Sequence, residues 1–453
     1  MKIVIKRSQI INFLLLSSIV LRLLSETNAI FSFSLLLVLC FFGPRAIILS
    51  LFFTWLFSSL NPLLAPPMPL ASAFRFCILI TSFFASFIFL KREAFIRNKN
   101  LYIICLIMFM FIFLHSIILS PLPDVSILRS FSWSMMFILL INCWSSIDKV
   151  TYERISKDLF LIFTAIVFFS LLLINSEIGW IKNKDAFQGI LMHPQTFGLT
   201  LALFGILILT RFPAQHFPSY FYLIVAVPTI YMLVLSECRT GIFALLSSYV
   251  ASIITGSFYM NSLKKYSRTI ILVLFLTPVF IFLSVYLMFL INDFANIEFI
   301  NNILTKSGRL NDTSTLLSSY KESRGFIVFD SVKNIGENFW TGIGFGMASD
   351  YENMKVFREP IFGIPYGAPL EKGLFYVALF EEIGFFGFLL YTIFLLICLQ
   401  SLLTSGLKSI PIFVIILLFN IAESIFFATG GINAIFILFF TLSITSQNFS
   451  IKD

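Results

Sequence analysis

The 453-residue chain is 58% hydrophobic and 12% charged, and its mean hydropathy is +0.96. Soluble domains carry about a quarter charged residues, so this composition excludes a water-soluble globular protein. The net charge of +8 does not indicate nucleic-acid binding, because the basic residues lie in short polar joints between apolar stretches and no nucleic-acid-binding motif accompanies them. The six scattered cysteines form no CxxC pair, and they predict neither a disulfide framework nor a zinc site.

Apolar stretches recur along the whole chain, and they are long enough to cross a bilayer as helices. The predicted spans are residues 9–24, 28–43, 45–61, 70–90, 101–120, 130–147, 157–175, 189–210, 217–235, 240–258, 268–291, 375–402, 410–428 and 431–448. The second and third spans are also compatible with one re-entrant hairpin around Gly43 and Pro44. The sequence therefore predicts an all-α, polytopic integral membrane protein with about 12–14 transmembrane helices.

Basic residues concentrate in every second joint between these spans. Residues 61–69, in one of the intervening joints, carry no charge. Because positively charged joints stay in the cytoplasm, the pattern predicts an inner-membrane protein with both termini in the cytoplasm. The predicted cytoplasmic joints contain Lys2, Lys6, Arg7, Lys91, Arg92, Arg97, Lys99, Lys149, Arg154, Lys157, Lys264, Lys265 and Arg268.

One polar segment, residues 292–372, is far longer than the other joints. The predicted topology makes it a large extracytoplasmic loop in the periplasm. Within it, Phe329, Val332, Ile335 and Phe339 recur at helical spacing and predict an amphipathic helix over the membrane face. The predicted organisation is a helix bundle in residues 1–291, the periplasmic loop in residues 292–372 and further transmembrane helices in residues 373–453.

Two short polar stretches at predicted outer joints contain candidate site residues. His193 begins the run HPQTFG, where it could act as a base or a hydrogen-bond donor, or only satisfy the start of a helix. Arg239 lies in the run SECRTG between two apolar spans. Its guanidinium could hold a phosphate through two hydrogen bonds. It could also reach toward the interface and pair with Glu237.

The predicted loop contains basic residues followed by a run of glycines. Arg309, Lys321 and Arg324 could bind an anionic substrate or form a solvated loop surface. Residues 340–346 read WTGIGFG, with no preceding strand, so they do not form a dinucleotide-binding fingerprint. Glycine allows close approach of the backbone to a ligand, which makes Gly344 a candidate binding residue.

Carboxylates and a lysine lie where the chain re-enters the membrane. The adjacent Glu381 and Glu382 cannot both face lipid, so they either pair with outer arginines or act as acid and base. Glu371 and Lys372 lie just before them, and Glu423 is isolated in the next span. The sequence contains no Walker A, HExxH or GxSxG motif and no carboxylate-rich metal site, so it predicts neither a metal ion nor a cofactor.

The ordered set of motifs resembles the bacterial O-antigen ligase and Wzy-type polysaccharide polymerase superfamily. The resemblance covers about residues 189–403. It rests on HP-x-x-x-G from His193, S-x-x-R-T-G from Ser236, S-R-G from Ser323, W-x-G-x-G-x-G from Trp340 and E-x-G from Glu382.

The resemblance implies a metal-independent glycosyltransferase that acts on a glycan carried by undecaprenyl pyrophosphate outside the inner membrane. Arg239 and Arg324 would bind the pyrophosphate leaving group and stabilise its developing charge. The family's histidine before E-x-G is absent, because residues 370–373 read LEKG. Glu371 or His193 is then the base, or no base is needed. The candidate substrate-binding residues are Arg309, Lys321, Lys372, Glu382 and Gly344.

We therefore expect a Wzy-like polymerase that joins lipid-linked oligosaccharide repeat units, because the absent histidine weakens a ligase assignment. One alternative is an O-antigen ligase that moves the glycan onto lipid A core or a protein. Another is a flippase or transporter of lipid-linked oligosaccharides, although no inverted repeat supports it. The expected partners are the undecaprenyl-pyrophosphate-linked oligosaccharide, the lipid bilayer and a protein that regulates chain length.

Overall fold

A computed structural model describes residues 7–66, 70–180, 186–211, 217–261, 326–358, 363, 365–367, 372, 374–421, 423–430 and 433–445. Several predictions fall outside these described residues. They are the predicted span 268–291 and the candidate site residues Arg309, Lys321, Arg324 and Glu371.

The described part of the chain is predominantly helical. Its helices are α1 Arg7–Leu24, α2 Glu26–Leu39, α3 Pro44–Ser58, α4 Ala71–Phe89, α5 Arg92–Arg97, α6 Lys99–Leu119, α7 Pro123–Ser146, α8 Lys149–Leu171, α9 Pro194–Thr210, α10 Ser219–Leu235, α11 Arg239–Asn261, α12 Phe326–Glu337, α13 Phe375–Ser405, α14 Ile410–Phe419 and α15 Asn433–Thr445. Short 3-10 helices cover Cys40–Phe42, Glu177–Trp180 and Leu407–Ser409. The strands β1 Phe357–Arg358 and β2 Pro365–Gly367 pair in antiparallel orientation.

Among the described residues, five helices are long and apolar enough to cross a membrane: α1, α4, α6, α7 and α13. Their outward faces retain large exposed apolar side chains, such as Phe84 on α4 and Ile118 on α6. Shorter apolar helices, among them α9 and α14, complete the bundle around a buried core. The prediction of an all-α protein with membrane-spanning helices is confirmed at this level.

Local sequence signals explain where several helices begin. Pro44, Pro123 and Pro194 lie in the first turns of α3, α7 and α9, where a missing amide hydrogen removes no helical hydrogen bond. At the start of α8, a carboxylate oxygen of Asp148 accepts a hydrogen bond from the Thr151 amide at 3.1 Å. Hydrogen bonds from Thr151 lower the pKa of Asp148, because they stabilise its charged form. We expect such an acceptor to secure the cytoplasmic start predicted for this helix.

One predicted span differs from the helix observed. The span predicted at 410–428 contains a helix that ends at Phe419. The side chain of Asn420 then accepts the amide hydrogens of Ile425 and Phe426, at 3.2 and 3.0 Å, and so replaces helical hydrogen bonds. Spans two and three are separate helices, and Gly43 with φ of 99° begins the second of them.

The C-terminal ends of α1 and α3 meet the start of α9 at one end of the bundle. The guanidinium of Arg22, in the last turn of α1, donates to the carbonyl oxygens of Phe57 and Pro66. The Met192 amide donates to the Ser59 carbonyl oxygen at 2.9 Å. We call this end, where α3 ends and α9 begins, the site end.

Candidate functional site

A break in α13 creates the framework of the candidate site. Gly384 has φ of 63° and ψ of −170° in the middle of this helix. Because the helix is interrupted there, the carbonyl oxygens of Glu381 and Glu382 accept hydrogen bonds from the amides of Ile343 and Gly344, at 2.9 and 3.0 Å. Residues 340–346 are therefore held against the broken helix by backbone hydrogen bonds.

Glycine is required on both sides of this contact. A Cβ atom on Gly342 would lie 2.5 Å from the Glu382 carbonyl oxygen, and one on Gly384 would lie 2.4 Å from the Trp340 carbonyl oxygen. Gly344, a predicted substrate-binding residue, packs instead on Ser120, with its Cβ position 2.9 Å from the Ser120 Cα atom. The spacing of these glycines thus serves close packing of the chain against itself.

Two carboxylates next to the break, Glu381 and Glu382, contact a lysine. Glu381 is fully buried, and its Oε1 atom accepts a hydrogen bond from the Asn334 amide group on α12 at 2.7 Å. Its Oε2 atom accepts hydrogen bonds from the hydroxyls of Ser331 and Ser349 and pairs with Lys372 Nζ at 3.1 Å. Because the side chain of Lys372 is only 3% exposed, this ion pair is shielded from water.

Lys372 also neutralises the neighbouring carboxylate. Its Nζ atom lies 3.1 Å from Glu382 Oε1, while Glu382 Oε2 accepts the Gly346 amide hydrogen at 2.7 Å. The two carboxylates therefore pair with Lys372 and not with the outer arginines that the sequence suggested as partners.

A cavity of about 330 Å³ opens beside this lysine. Three cationic side chains line it, Arg75 on α4, Arg129 on α7 and Lys372, and one carboxylate, Glu382. The other lining residues are Leu51, Thr54, Trp55, Phe76, Leu79, Val125, Leu128, Ser132, Met136, Pro365, Ser424, Ala428, Thr429, Gly430, Asn433 and Ala434.

The two arginines have no acidic partner among the described residues. Arg75 Nη2 donates to the hydroxyl of Ser72 at 2.8 Å. The guanidinium of Arg129 lies over the ring of Phe345, 5.4 Å from its centroid, and its buried Nη1 atom has no hydrogen-bond partner. Lys372, Glu381 and Glu382 together carry a formal charge of −1, so the two arginines leave the five side chains with a net charge of +1, which favours an anion.

The cavity becomes apolar with depth. Met136 lies two helical turns beyond Arg129 along α7, or about 10 Å further. Leu79 lies one turn beyond Arg75 on α4, and Leu51 lies one turn before Trp55 on α3. A ligand with an anionic group and an attached apolar chain fits this gradient.

His193 and Arg239, two predicted site residues, lie in a neighbouring cluster. His193 precedes α9, and its Nδ1 atom accepts the Gln195 amide hydrogen at 3.2 Å. The two motifs touch through Gly198, because a Cβ atom there would lie 2.1 Å from the Cβ atom of Cys238. Arg239 begins α11 directly after this contact, and neither His193 nor Arg239 lines the cavity described above.

The two clusters are linked through the segment that follows α14. The side-chain amide of Gln195 donates to Glu423 Oε1, and the next residue, Ser424, lines the cavity. Of the predicted site residues that the structure describes, Lys372 and Glu382 therefore lie in the cavity, His193 and Arg239 beside it, and Gly344 in its supporting framework.

Sequence reasoning missed Arg75, Arg129 and the buried role of Glu381. Arg75 falls inside the predicted span 70–90, and Arg129 just before the span 130–147. A charged side chain within an apolar span is costly and usually functional, so this signal could have found Arg75. Among the described residues, no group of three or more His, Cys, Asp or Glu side chains could hold a metal ion.

The described residues form a helical protein with helices apolar enough to cross a membrane and a cavity lined by three cationic side chains and one carboxylate. No protein-family model matches the sequence, and no curated protein sequence matches it significantly. The resemblance to the O-antigen ligase and polymerase superfamily therefore rests on the motifs alone.

Proposed function

We propose that this chain is a Wzy-like glycosyltransferase that joins undecaprenyl-pyrophosphate-linked repeat units into a polysaccharide. In this proposal it lies in a bacterial inner membrane with both termini in the cytoplasm, and its site faces the periplasm. The observation that carries the proposal is the cavity with Arg75 and Arg129 above an apolar floor.

The chemistry of the cavity suits a pyrophosphate leaving group. A guanidinium offers paired hydrogen bonds to phosphate oxygens and keeps its charge in an apolar setting. During transfer, an acceptor hydroxyl would attack the anomeric carbon of the lipid-linked sugar, and the bond from that carbon to the pyrophosphate oxygen would break. The electron pair would pass to the pyrophosphate, where Arg75 and Arg129 would stabilise the new negative charge.

The proton of the acceptor hydroxyl also needs a destination. Glu382 is the described carboxylate that lines the cavity, and Lys372 and the Gly346 amide hold it in place. We therefore assign it the role of proton acceptor. Glu382 thus replaces Glu371 and His193 as the proposed base. Arg239, in the adjoining cluster, would bind a more distant part of the substrate, and Arg309, Lys321 and Arg324 keep the roles that the resemblance implies.

One observation favours a ligase as the second candidate. The resemblance lacks a histidine before Glu382, but His115 on α6 approaches the same region, where its Nε2 atom donates to the Thr341 carbonyl oxygen at 2.5 Å. Thr341 adjoins Gly342, which packs on Glu382. His115 does not line the cavity, so we keep the polymerase as the first candidate.

A deletion strain separates these functions. Loss of a polymerase leaves single repeat units on the outer-membrane acceptor, because a separate ligase still transfers them. Loss of a ligase leaves a bare acceptor and long chains on the carrier. Loss of a transporter traps single units inside the cell. Gel analysis of surface and carrier-linked glycans distinguishes the three outcomes, and only single-unit acceptor bands support the proposal.

Complementation of this strain then tests the cavity itself. Arg129→Lys keeps the charge but loses the planar fork, so we expect at least a tenfold loss of polymer. Arg154→Lys is the matched control, since Arg154 lies on α8 and does not line the cavity. Wild-type polymer from Arg129→Lys at normal protein level would contradict the proposed pyrophosphate site.

A further inference from the structure

We propose that the indole N–H of Trp55 is a ligand-binding donor, which together with Arg129 Nη1 holds oxygen atoms of a diphosphate attached to an apolar chain. The inference rests on the proposed function for the identity of that ligand. It assigns to the binding site Trp55, which lies near the end of an apolar helix and belongs to none of the motifs.

The first observation is an unused donor in a dry position. Trp55 lies on α3 and is 2% exposed, and its Nε1 atom is buried with no hydrogen-bond partner. The indole N–H can only donate. A buried donor without an acceptor is rare in native proteins, because it has lost its hydrogen bond to water without replacement.

Elsewhere the chain provides an acceptor for buried or half-buried indoles. Trp144 Nε1 donates to the Leu438 carbonyl oxygen at 3.2 Å, and Trp180 Nε1 donates to the Ile174 carbonyl oxygen at 2.9 Å. The fold can therefore satisfy an indole within the protein, and it does not do so at Trp55.

The second observation is where this donor lies. Trp55 lines the same cavity as Arg129, whose Nη1 atom is also buried and without a partner. The two residues belong to different helices, α3 and α7, that pack against each other. Two residues with unused donors, from separate helices, thus line one cavity, and an oxygen-rich ligand in it would satisfy both donors.

Trp133 shows why the position matters. Its Nε1 atom is buried and without a partner as well, but Trp133 does not line the cavity. Its ring packs among aromatic side chains, with Phe137 and Phe427 at centroid distances of 5.4 and 4.7 Å. An unused indole N–H alone therefore does not indicate a ligand, and Trp133 provides a matched control.

The depth of Trp55 indicates which ligand oxygen it would bind. Thr54 and Arg129 mark the polar part of the cavity, and Leu51 begins its apolar floor one turn away from Trp55. A neutral donor at this boundary suits the phosphate that carries the apolar chain, while the arginines hold the more highly charged part. The ligand class is accordingly a polyprenyl diphosphate bound with its chain toward Leu51 and Met136.

The test measures binding of undecaprenyl pyrophosphate to the purified full-length protein in detergent. Trp55→Phe keeps the aromatic ring and removes only the N–H donor, and we expect about tenfold weaker binding, as for loss of a hydrogen bond to a charged group. Trp133→Phe should bind like the wild type. Thermal unfolding of both variants shows whether the fold is kept.

The outcomes separate the inference from the proposed function. Equal binding by Trp55→Phe and wild type, or equal weakening in both tryptophan variants, would overturn the inference. Inorganic pyrophosphate is the second probe. If only this probe binds, with the same dependence on Trp55, the donor role stands and the lipid-linked substrate is wrong. If the wild type binds neither probe, the inference is overturned.

Discussion

The arginines near the two ends of α3 differ in whether they have a carboxylate partner. Near its start, Arg45 Nη2 lies 2.8 Å from Asp158 Oδ2 and also donates to Asn12 Oδ1 at 2.9 Å. Near its end, Trp55 faces a cavity in which Arg75 and Arg129 have no carboxylate partner among the described residues. Arg45 is thus paired with an aspartate inside the protein, whereas Arg75 and Arg129 line a cavity.

This difference separates structural from binding charge. The ion pair of Arg45 and Asp158 holds α3 against α8, and two of the guanidinium nitrogens already donate to oxygen atoms of the protein. An arginine that keeps unused donors beside a cavity costs free energy until an anion arrives. At the site end, Arg129 thus keeps a buried donor that has no partner among the described residues, and it does so beside the cavity.

Substitution of Lys372 has the largest expected effect on stability, because this lysine both forms buried ion pairs and lines the cavity. Lys372→Met would leave Glu381 and Glu382 buried without their cation, so we expect about 3–5 kcal/mol of destabilisation. Thermal unfolding of the purified protein measures it. Lys372→Arg, which keeps the charge, should recover part of the stability. If the methionine variant unfolded like the wild type, the buried carboxylates would not depend on this lysine.

The second largest effect is expected where residues 340–346 pack against Gly384 beside the cavity. Gly384→Ala places a Cβ atom against the Trp340 carbonyl oxygen and forces a left-handed backbone on alanine, so we expect about 2–3 kcal/mol of destabilisation. Gly336→Ala is the matched control, since nothing lies within 4 Å of its Cβ position in α12. We expect that control to be neutral or slightly stabilising. Equal unfolding temperatures of the two variants would contradict the close packing of residues 340–346 against the broken helix.

His193 provides the smallest effect and shows how far the site extends. Its Nδ1 atom accepts the Gln195 amide hydrogen at the start of α9, so His193→Ala should cost about 1 kcal/mol of stability. Because His193 does not line the cavity, we expect the amount of polymer to stay within about threefold of wild type. This is a smaller effect than the loss of one hydrogen bond to a charged group would cause. A null phenotype at normal protein level would extend the catalytic site into the His193 and Arg239 cluster.

The helices could be predicted from the sequence more fully than the site. Apolar runs of sufficient length locate α4 and α6 within a few residues, because a bilayer imposes both composition and length on a span. The end of α14 at Phe419 could not be found this way, because it depends on hydrogen bonds from one side chain, Asn420. Apolarity continues past that point and hides the break.

The site depends on contacts between distant parts of the chain. Gly342 and Gly384 are separated in sequence and meet only when residues 340–346 dock on the broken helix. The sequence analysis interpreted the glycines of residues 340–346 as allowing close approach to a ligand, whereas the structure places Gly342 against the protein's own backbone. Arg75 and Arg129 reach one cavity from two helices, and only their charge within apolar surroundings marks them in the sequence.

The most direct test compares Arg45→Met with Arg129→Met in thermal unfolding of the purified protein. Arg45→Met leaves Asp158 without its partner, so we predict a clear loss of stability, about 3 kcal/mol. Arg129→Met removes a charge that has no carboxylate partner among the described residues, so its unfolding temperature should match or exceed that of the wild type, while polymer synthesis is lost. If Arg129→Met were destabilised as much as Arg45→Met, the arginine at the cavity would be a structural charge and the account of an open anion site would be wrong.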